Sequence, residues 1–263
     1  MEGSPRKRRQ LFSILAKGSV IMLDQLIATL TPLTFHNRMK ALCDLMPNAH
    51  SVCSTSFSYE DQILTYLIAD QNLPITLFTL DTGRLFEETY ATWHATQQAY
   101  PHLRITSYAP DAEALTTMIA DQGVNGFYEG KEQRLRCCHV RKVEPLKRAL
   151  DGVDVWISGL RHAHSSFRHD LPMLEMDATH GVIKCYPLLD MEDDALRPFI
   201  DAHKVPYNAL HDRGFPSIGC APCTRAVALG DHPRSGRWWW EDESEQECGL
   251  HRVDGKLMRV KKD

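Results

Sequence analysis

At 263 residues, 43% of them hydrophobic and 24% charged, the chain can bury one large core and has the composition of an ordinary globular protein. Its formal charge of −4 excludes a generic binder of nucleic acid or anionic membrane; the cations gather at 134–142, 161–169 and 225–237, which suits a small anionic ligand. No apolar run is long enough to span a bilayer and the N-terminus lacks a signal-peptide core, so a cytoplasmic location is expected, where eight cysteines read as metal or catalytic chemistry, not disulfide staples.

Residues 1–21 open on PRKRR, show little periodicity and are expected to form a disordered basic extension. From 22 to 46, apolar residues at Leu23, Leu26, Ile27 and Leu30, then Met39, Leu42 and Leu45, predict two short helices. A strand ending near Cys53 follows, then the loop STSFS (54–58), then a helix with Ile63, Leu64, Leu67 and Ile68 on one face and Glu60 and Asp61 in its first turn. Such a hydroxyl-rich loop can bind phosphate, since unpaired backbone N–H groups and the helix dipole point at the anion; a plain serine N-cap gives the same pattern. Further strands are predicted at 75–80, running into DTGR, at 103–108, at 153–160, running into Arg161, at 173–177 and at 182–190. Helices are predicted up to about 99, near 111–121 and at 192–204. Strands alternating with helices predict one domain over 22–240, built on a parallel sheet covered on both faces. STSFS, DTGR and GLR then fall at the carboxyl ends of strands, where such sheets bind ligands.

The second half is organised by cysteines. Cys137-Cys138 in RLRCCHVRK and Cys220-Cys223 in SIGCAPC set four thiols at two remote points, as a metal or iron-sulfur centre requires. The adjacent pair can face one centre if a helix begins there, and Arg134, Arg136, His139, Arg141 and Lys142 would offset the charge of four thiolates. On pattern alone, structural zinc fits nearly as well. Lone Cys43, Cys53 and Cys185 read as core residues, Trp238-Trp239-Trp240 as packing, and the spacing of His162, His164 and His169 supports no metal site. The acidic run EDESEQE (241–247) reads as a solvated linker opening a mobile C-terminal tail, 241–263, which carries Cys248.

The stretches STSFSYEDQ, TLDTGRLFEETY, RCCHVRKVEPL, WISGLRHAHSSFR, HDRGFPSIGCAPCTRAV, GRWWW and ECGLH together resemble the iron-sulfur adenylylsulfate reductases, assimilatory sulfonucleotide reductases of the PP-loop type, over roughly residues 50–252. The resemblance implies an α/β fold with the Rossmann-like parallel sheet of the adenine nucleotide alpha hydrolases. It implies that Cys137, Cys138, Cys220 and Cys223 bind a [4Fe-4S] cluster with Lys142 beside it. It implies too that Ser54 and Ser56 belong to the nucleotide loop, that Asp81, Thr82, Gly159 and Arg161 line the adenosine side, and that Arg234 and Arg237 hold phosphosulfate oxygens. Cys248 is similar to the family nucleophile, with His251 close behind. The implied substrate is adenosine 5′-phosphosulfate (APS), with thioredoxin or glutaredoxin as reductant; a homo-oligomer is left open. The family loop reads S-x-S-F-G-x-E-D, and here Ser58 stands in place of the glycine, which takes away the close backbone approach a glycine allows. Two rival readings are reduction of the 3′-phosphorylated substrate, PAPS, and a zinc-binding PP-loop protein without redox chemistry.

Overall fold

A computed structural model of the chain describes residues 22–164, 171–228 and 230–241. In chain order the elements are α1 (22–30), α2 (Phe35–Leu45), β1 (Ser51–Ser54), α3 (Tyr59–Asp70), β2 (Ile75–Leu80), α4 (Glu87–Ala99), β3 (Ile105–Tyr108) and α5 (Ala112–Gln122). They continue with α6 (Lys131–Cys138), α7 (Glu144–Ala149), β4 (Val155–Ile157), β5 (Leu174–Asp177), β6 (Val182–Cys185) and α8 (Asp193–His203).

The strands form one sheet in the order β3-β2-β1-β4-β6-β5. The first five in that order are parallel; only β5 runs against its neighbour β6, because the two are joined by a tight turn at Thr179–Gly181 that leaves no length for a crossover. The apolar alternation of the strands decides which side each residue joins. Cys53, Ile75, Leu77, Val155, Ile157, Ile183 and Cys185 face a core shared with α1, α2, α3 and α8. Val52, Phe78, Trp156 and Val182 face the other side, against α7. The lone thiols Cys53 and Cys185 are thus core residues, and Cys43 packs against the same core half-buried. A third cluster, Met118, Phe127, Cys137, Cys220, Cys223 and Trp238, lies apart from both sheet faces.

The Cys137-Cys138 pair differs from expectation. It ends α6 instead of beginning a helix, and His139–Val143 continues as a turn of π-helix before α7. Such a widened turn changes the direction of the residues that follow, and in other proteins it is frequent at functional sites. Among the described residues, no helix is long and apolar enough to cross a membrane.

Candidate active site

The residues just beyond β1, β2 and β4 line a cavity of about 770 Å³, a volume typical of small-molecule sites. Its floor is the loop after β1. Ser58 is the N-cap of α3 at φ −70°, an ordinary extended conformation, and its hydroxyl accepts from the Asp61 amide at 3.3 Å. The missing glycine therefore carries no conformational penalty at position 58. The unusual residue is Phe57, at φ 62°, a left-handed backbone that costs a bulky side chain roughly 1–3 kcal/mol. Its cost is met by packing and hydrogen bonding: the ring is buried and stacks on Trp93 with centroids 5.6 Å apart, and its amide donates to Thr55 Oγ1 at 3.1 Å. Asp61 closes the loop from within. Its Oδ2 accepts from both the amide and the hydroxyl of Ser56, each at 2.6 Å, while burial pushes the carboxyl pKa up against those bonds.

The opposite wall comes from β4. A Cβ on Gly159 would stand 2.7 Å from Glu60 Cβ and 2.8 Å from Asp61 Oδ1, so only glycine lets β4 come this close to the first turn of α3. Next to it Arg161 is fully buried and committed to protein partners. It bonds Glu60 at 2.7 Å, Asp193 at 2.6 Å and the Met191 carbonyl at 2.8 Å, which ties β4, α3 and α8 together behind the cavity. Removing one partner of a pair buried this way costs about 3–5 kcal/mol.

Beside this cavity is a smaller one, lined by Cys137, Cys138, Cys220 and Cys223, all buried, and by Arg84, Arg134, Arg141, Lys142 and Arg237. Lys142, Arg237 and Trp238 line both cavities and so form the wall between them. Among the described residues, no three His, Cys, Asp or Glu side chains converge closely enough to hold a single metal ion. The four thiols are arranged around the smaller cavity. Their environments differ: burial works against ionisation of Cys220, yet Lys142, the Thr82 hydroxyl at 3.3 Å, Arg237 and Arg141 outweigh it and lower the thiol pKa. Burial, with Cys220 and Cys138 nearby, pushes Cys223 up to about 12. The donor set suits an iron-sulfur centre, since the cations around it offset the negative charge that thiolate ligands bring.

The expected residues divide as follows. Ser54, Ser56, Thr82, Gly159, Arg161, Lys142, Arg234 and Arg237 all line the large cavity. Asp81 does not: it accepts from the Gly83 amide at 2.9 Å and from the Tyr90 hydroxyl at 2.6 Å, and so shapes the turn that presents Thr82. Of the basic residues near the cysteine pair, Arg134, Arg141 and Lys142 face the thiols; Arg136 and His139 face outward, with Arg136 paired to Asp121. Trp238 is packed as expected, but it is packed by cations: Arg237, Arg134 and Arg234 stand 4.7, 4.8 and 5.9 Å from its ring centre. Glu241, first residue of the acidic run, is buried in an ion pair with Arg134 at 2.6 Å, so the solvated linker does not begin there. Cys248 and His251 lie outside the described residues, as does His169. Sequence reasoning missed Asp61 and Arg84 as site residues; the spacing of Ser58 to Asp61, an N-cap followed three residues later by an acid, is the signal that could have found the first.

The arrangement has clear relatives. The chain is 48% identical over 201 residues to an adenosine 5′-phosphosulfate reductase of Allochromatium vinosum, covering 76% of this chain and 78% of that one. It is 42% identical over 224 residues to the protein of the same name from Agrobacterium fabrum, covering 85% of each. Among solved structures it is similar to the phosphoadenylyl-sulfate (PAPS) reductase of Candida auris in its phosphate complex, at TM-score 0.64 and 26% identity over 78% of this chain and 96% of that one. The phosphoadenosine phosphosulfate reductase domain matches residues 50–226, from the approach to β1 through the second pair of thiols. That span holds the loop after β1, Gly159, Lys142 and all four thiols, with Arg234, Arg237 and Trp238 just beyond it, and it is as a member of the phosphoadenosine phosphosulfate reductase domain family that this chain brings them together.

Proposed function

We propose that this chain reduces adenosine 5′-phosphosulfate to sulfite and AMP. The observation that carries the reading is the shared wall: Lys142, Arg237 and Trp238 face a nucleotide-sized cavity on one side and four thiols on the other. An anion in the large cavity thereby meets fixed cations at one end, where a phosphosulfate carries its charge. The names of the relatives at 42–48% identity favour APS over PAPS. The adenosine rests between the loop after β1 and Gly159, with Ser54, Ser56 and the α3 N-terminus toward the phosphate. Arg234, Arg237 and Lys142 hold the phosphosulfate oxygens.

The Cys248 thiolate attacks the sulfur of APS. A sulfur–sulfur bond forms, the sulfur–oxygen bond to phosphate breaks, and AMP leaves with the electron pair. Cations beside the site, with His251, favour the thiolate over the thiol. The resulting S-sulfocysteine is cleaved by an external dithiol, thioredoxin or glutaredoxin: one thiolate attacks Cys248 Sγ and expels sulfite, and the second resolves the mixed disulfide, so two electrons pass from the dithiol to sulfur. Cys137, Cys138, Cys220 and Cys223 would hold a [4Fe-4S] cluster, which when bound adds a fixed charge to the small cavity. What the chain's own residues do there is hold cations at the boundary of both cavities.

With APS and no dithiol, mass spectrometry is expected to show one sulfonate on the Cys248 peptide, discharged as sulfite when thioredoxin is added. Cys248→Ser keeps AMP binding and forms no adduct, because a serine hydroxyl is almost wholly protonated at neutral pH. Sulfite release by Cys248→Ser at a rate near that of the parent would contradict the assignment.

A further inference from the structure

Trp156 has no part in the reading above, although it lines the nucleotide cavity. It lies in β4 opposite Val52 of β1 and Lys184 of β6, on the sheet face away from the larger core. Two residues beyond Val52, on the same face by the period of a strand, stands Ser54. The indole therefore reaches along the sheet to the first residue of the nucleotide loop, and its Nε1–H donates to Ser54 Oγ at 2.9 Å.

That bond has a directional consequence. An indole N–H can only donate, so Ser54 Oγ must be the acceptor, and one of its lone pairs is taken from the side of the sheet. The hydroxyl proton is then turned away from the indole. Among the described residues Ser54 Oγ has no other partner, and its own residue opens on the cavity. An ionised phosphate oxygen accepts and cannot donate. The serine is thus left with the one capability that such a ligand needs.

The indole is itself held in place. Lys184 Nζ stands 5.3 Å from its ring centre, fixed by a 2.8 Å ion pair with Asp177, and the His180 ring meets it edge-on at 6.3 Å. These residues come from β5, β6 and the turn between them, on the side of Trp156 away from Ser54 in sheet order.

We infer that Trp156 is a positioning residue for the nucleotide: its N–H presets the Ser54 hydroxyl as a donor toward a phosphate oxygen of the bound adenylyl group. The inference rests on the loop after β1 being the nucleotide loop. Its test is a double-mutant cycle on the full-length chain, read as AMP affinity by calorimetry. Ser54→Ala is expected to weaken AMP binding about fivefold to tenfold, and Trp156→Phe by a similar factor, since either change removes a preset hydrogen bond. The double variant should bind no worse than Ser54→Ala alone, because without the hydroxyl there is nothing for the indole to preset. If the two losses multiply, Trp156 acts only through packing and the inference is overturned. If Ser54→Ala binds AMP as the parent does, the loop reading itself fails and takes the inference with it. A second measurement needs no change at Trp156. The indole N–H resonance of Trp156, followed by NMR in isotopically labelled protein, should move on AMP addition in the parent and stay still in Ser54→Ala; movement of equal size in both also overturns the inference.

Discussion

Lys142 stands where binding and chemistry meet. It follows the second cysteine of the adjacent pair by four residues, and the π-helical turn between them lets it line the nucleotide cavity as well as the thiol cavity. A cation in that wall is expected to matter more to the reaction than to binding, since charge spreads over the phosphosulfate as the sulfur–oxygen bond breaks. Lys142→Ala should therefore lower kcat/KM for sulfite release by about 10²–10³ while changing AMP affinity much less. Equal losses in turnover and in AMP affinity would mean that Lys142 serves ground-state binding. At this scale the sequence was only partly legible. Lys142 could be picked out because it sits in a motif, but Arg136 and His139 sit in the same motif and face outward. Which basic side chain turns toward the thiols depends on helix phase, and the π turn alters that phase in a way no residue pattern announces.

At the scale of elements, the strand–loop–helix unit at β1 and α3 was readable because its signals are local: the apolar strand, the serine N-cap and the acids of the first turn all act within a few residues. What surrounds it was not. Arg161 can be picked out from its place after a strand and does line the cavity, but the ion pairs that hold its guanidinium, to Glu60 and Asp193, come from residues far off in sequence. The β5–β6 ribbon shows the same dependence on partners. Burial opposes a charge on Asp177, but bonds from His180 and Lys184 outweigh it and hold the carboxyl well below the usual range. A carboxyl so lowered stabilises the fold above its unfolded pKa of about 3.9, and that contribution fades as pH falls through the folded pKa. Asp177→Asn is thus expected to lose about 3 kcal/mol at neutral pH, in urea unfolding. The gap from the parent protein should stay constant above about pH 4 and narrow steadily in more acid solution. A gap of constant size down to about pH 2 would contradict this account of the ribbon.

For the whole molecule, the alternation of strands and helices made the sheet legible, down to the bounds of β2, and the four thiols that line the smaller cavity stood out as a group before any geometry was known. The sharing of one wall by two cavities was not legible, because it is made by Lys142 from the π turn and by Arg237 and Trp238 from a stretch with no regular periodicity. Nor was the root of the C-terminal segment, where Glu241 is clamped by Arg134 seven residues before Cys248. An extended chain of that length reaches at most about 25 Å. If this joined site reduces adenosine 5′-phosphosulfate, sulfite release from APS and from PAPS, measured side by side with thioredoxin as reductant, will separate the two substrates. Turnover of APS is expected to be at least about a hundredfold more efficient than that of PAPS, a difference of roughly 3 kcal/mol in transition-state stabilisation. Equal efficiencies, or a preference for PAPS, would contradict it.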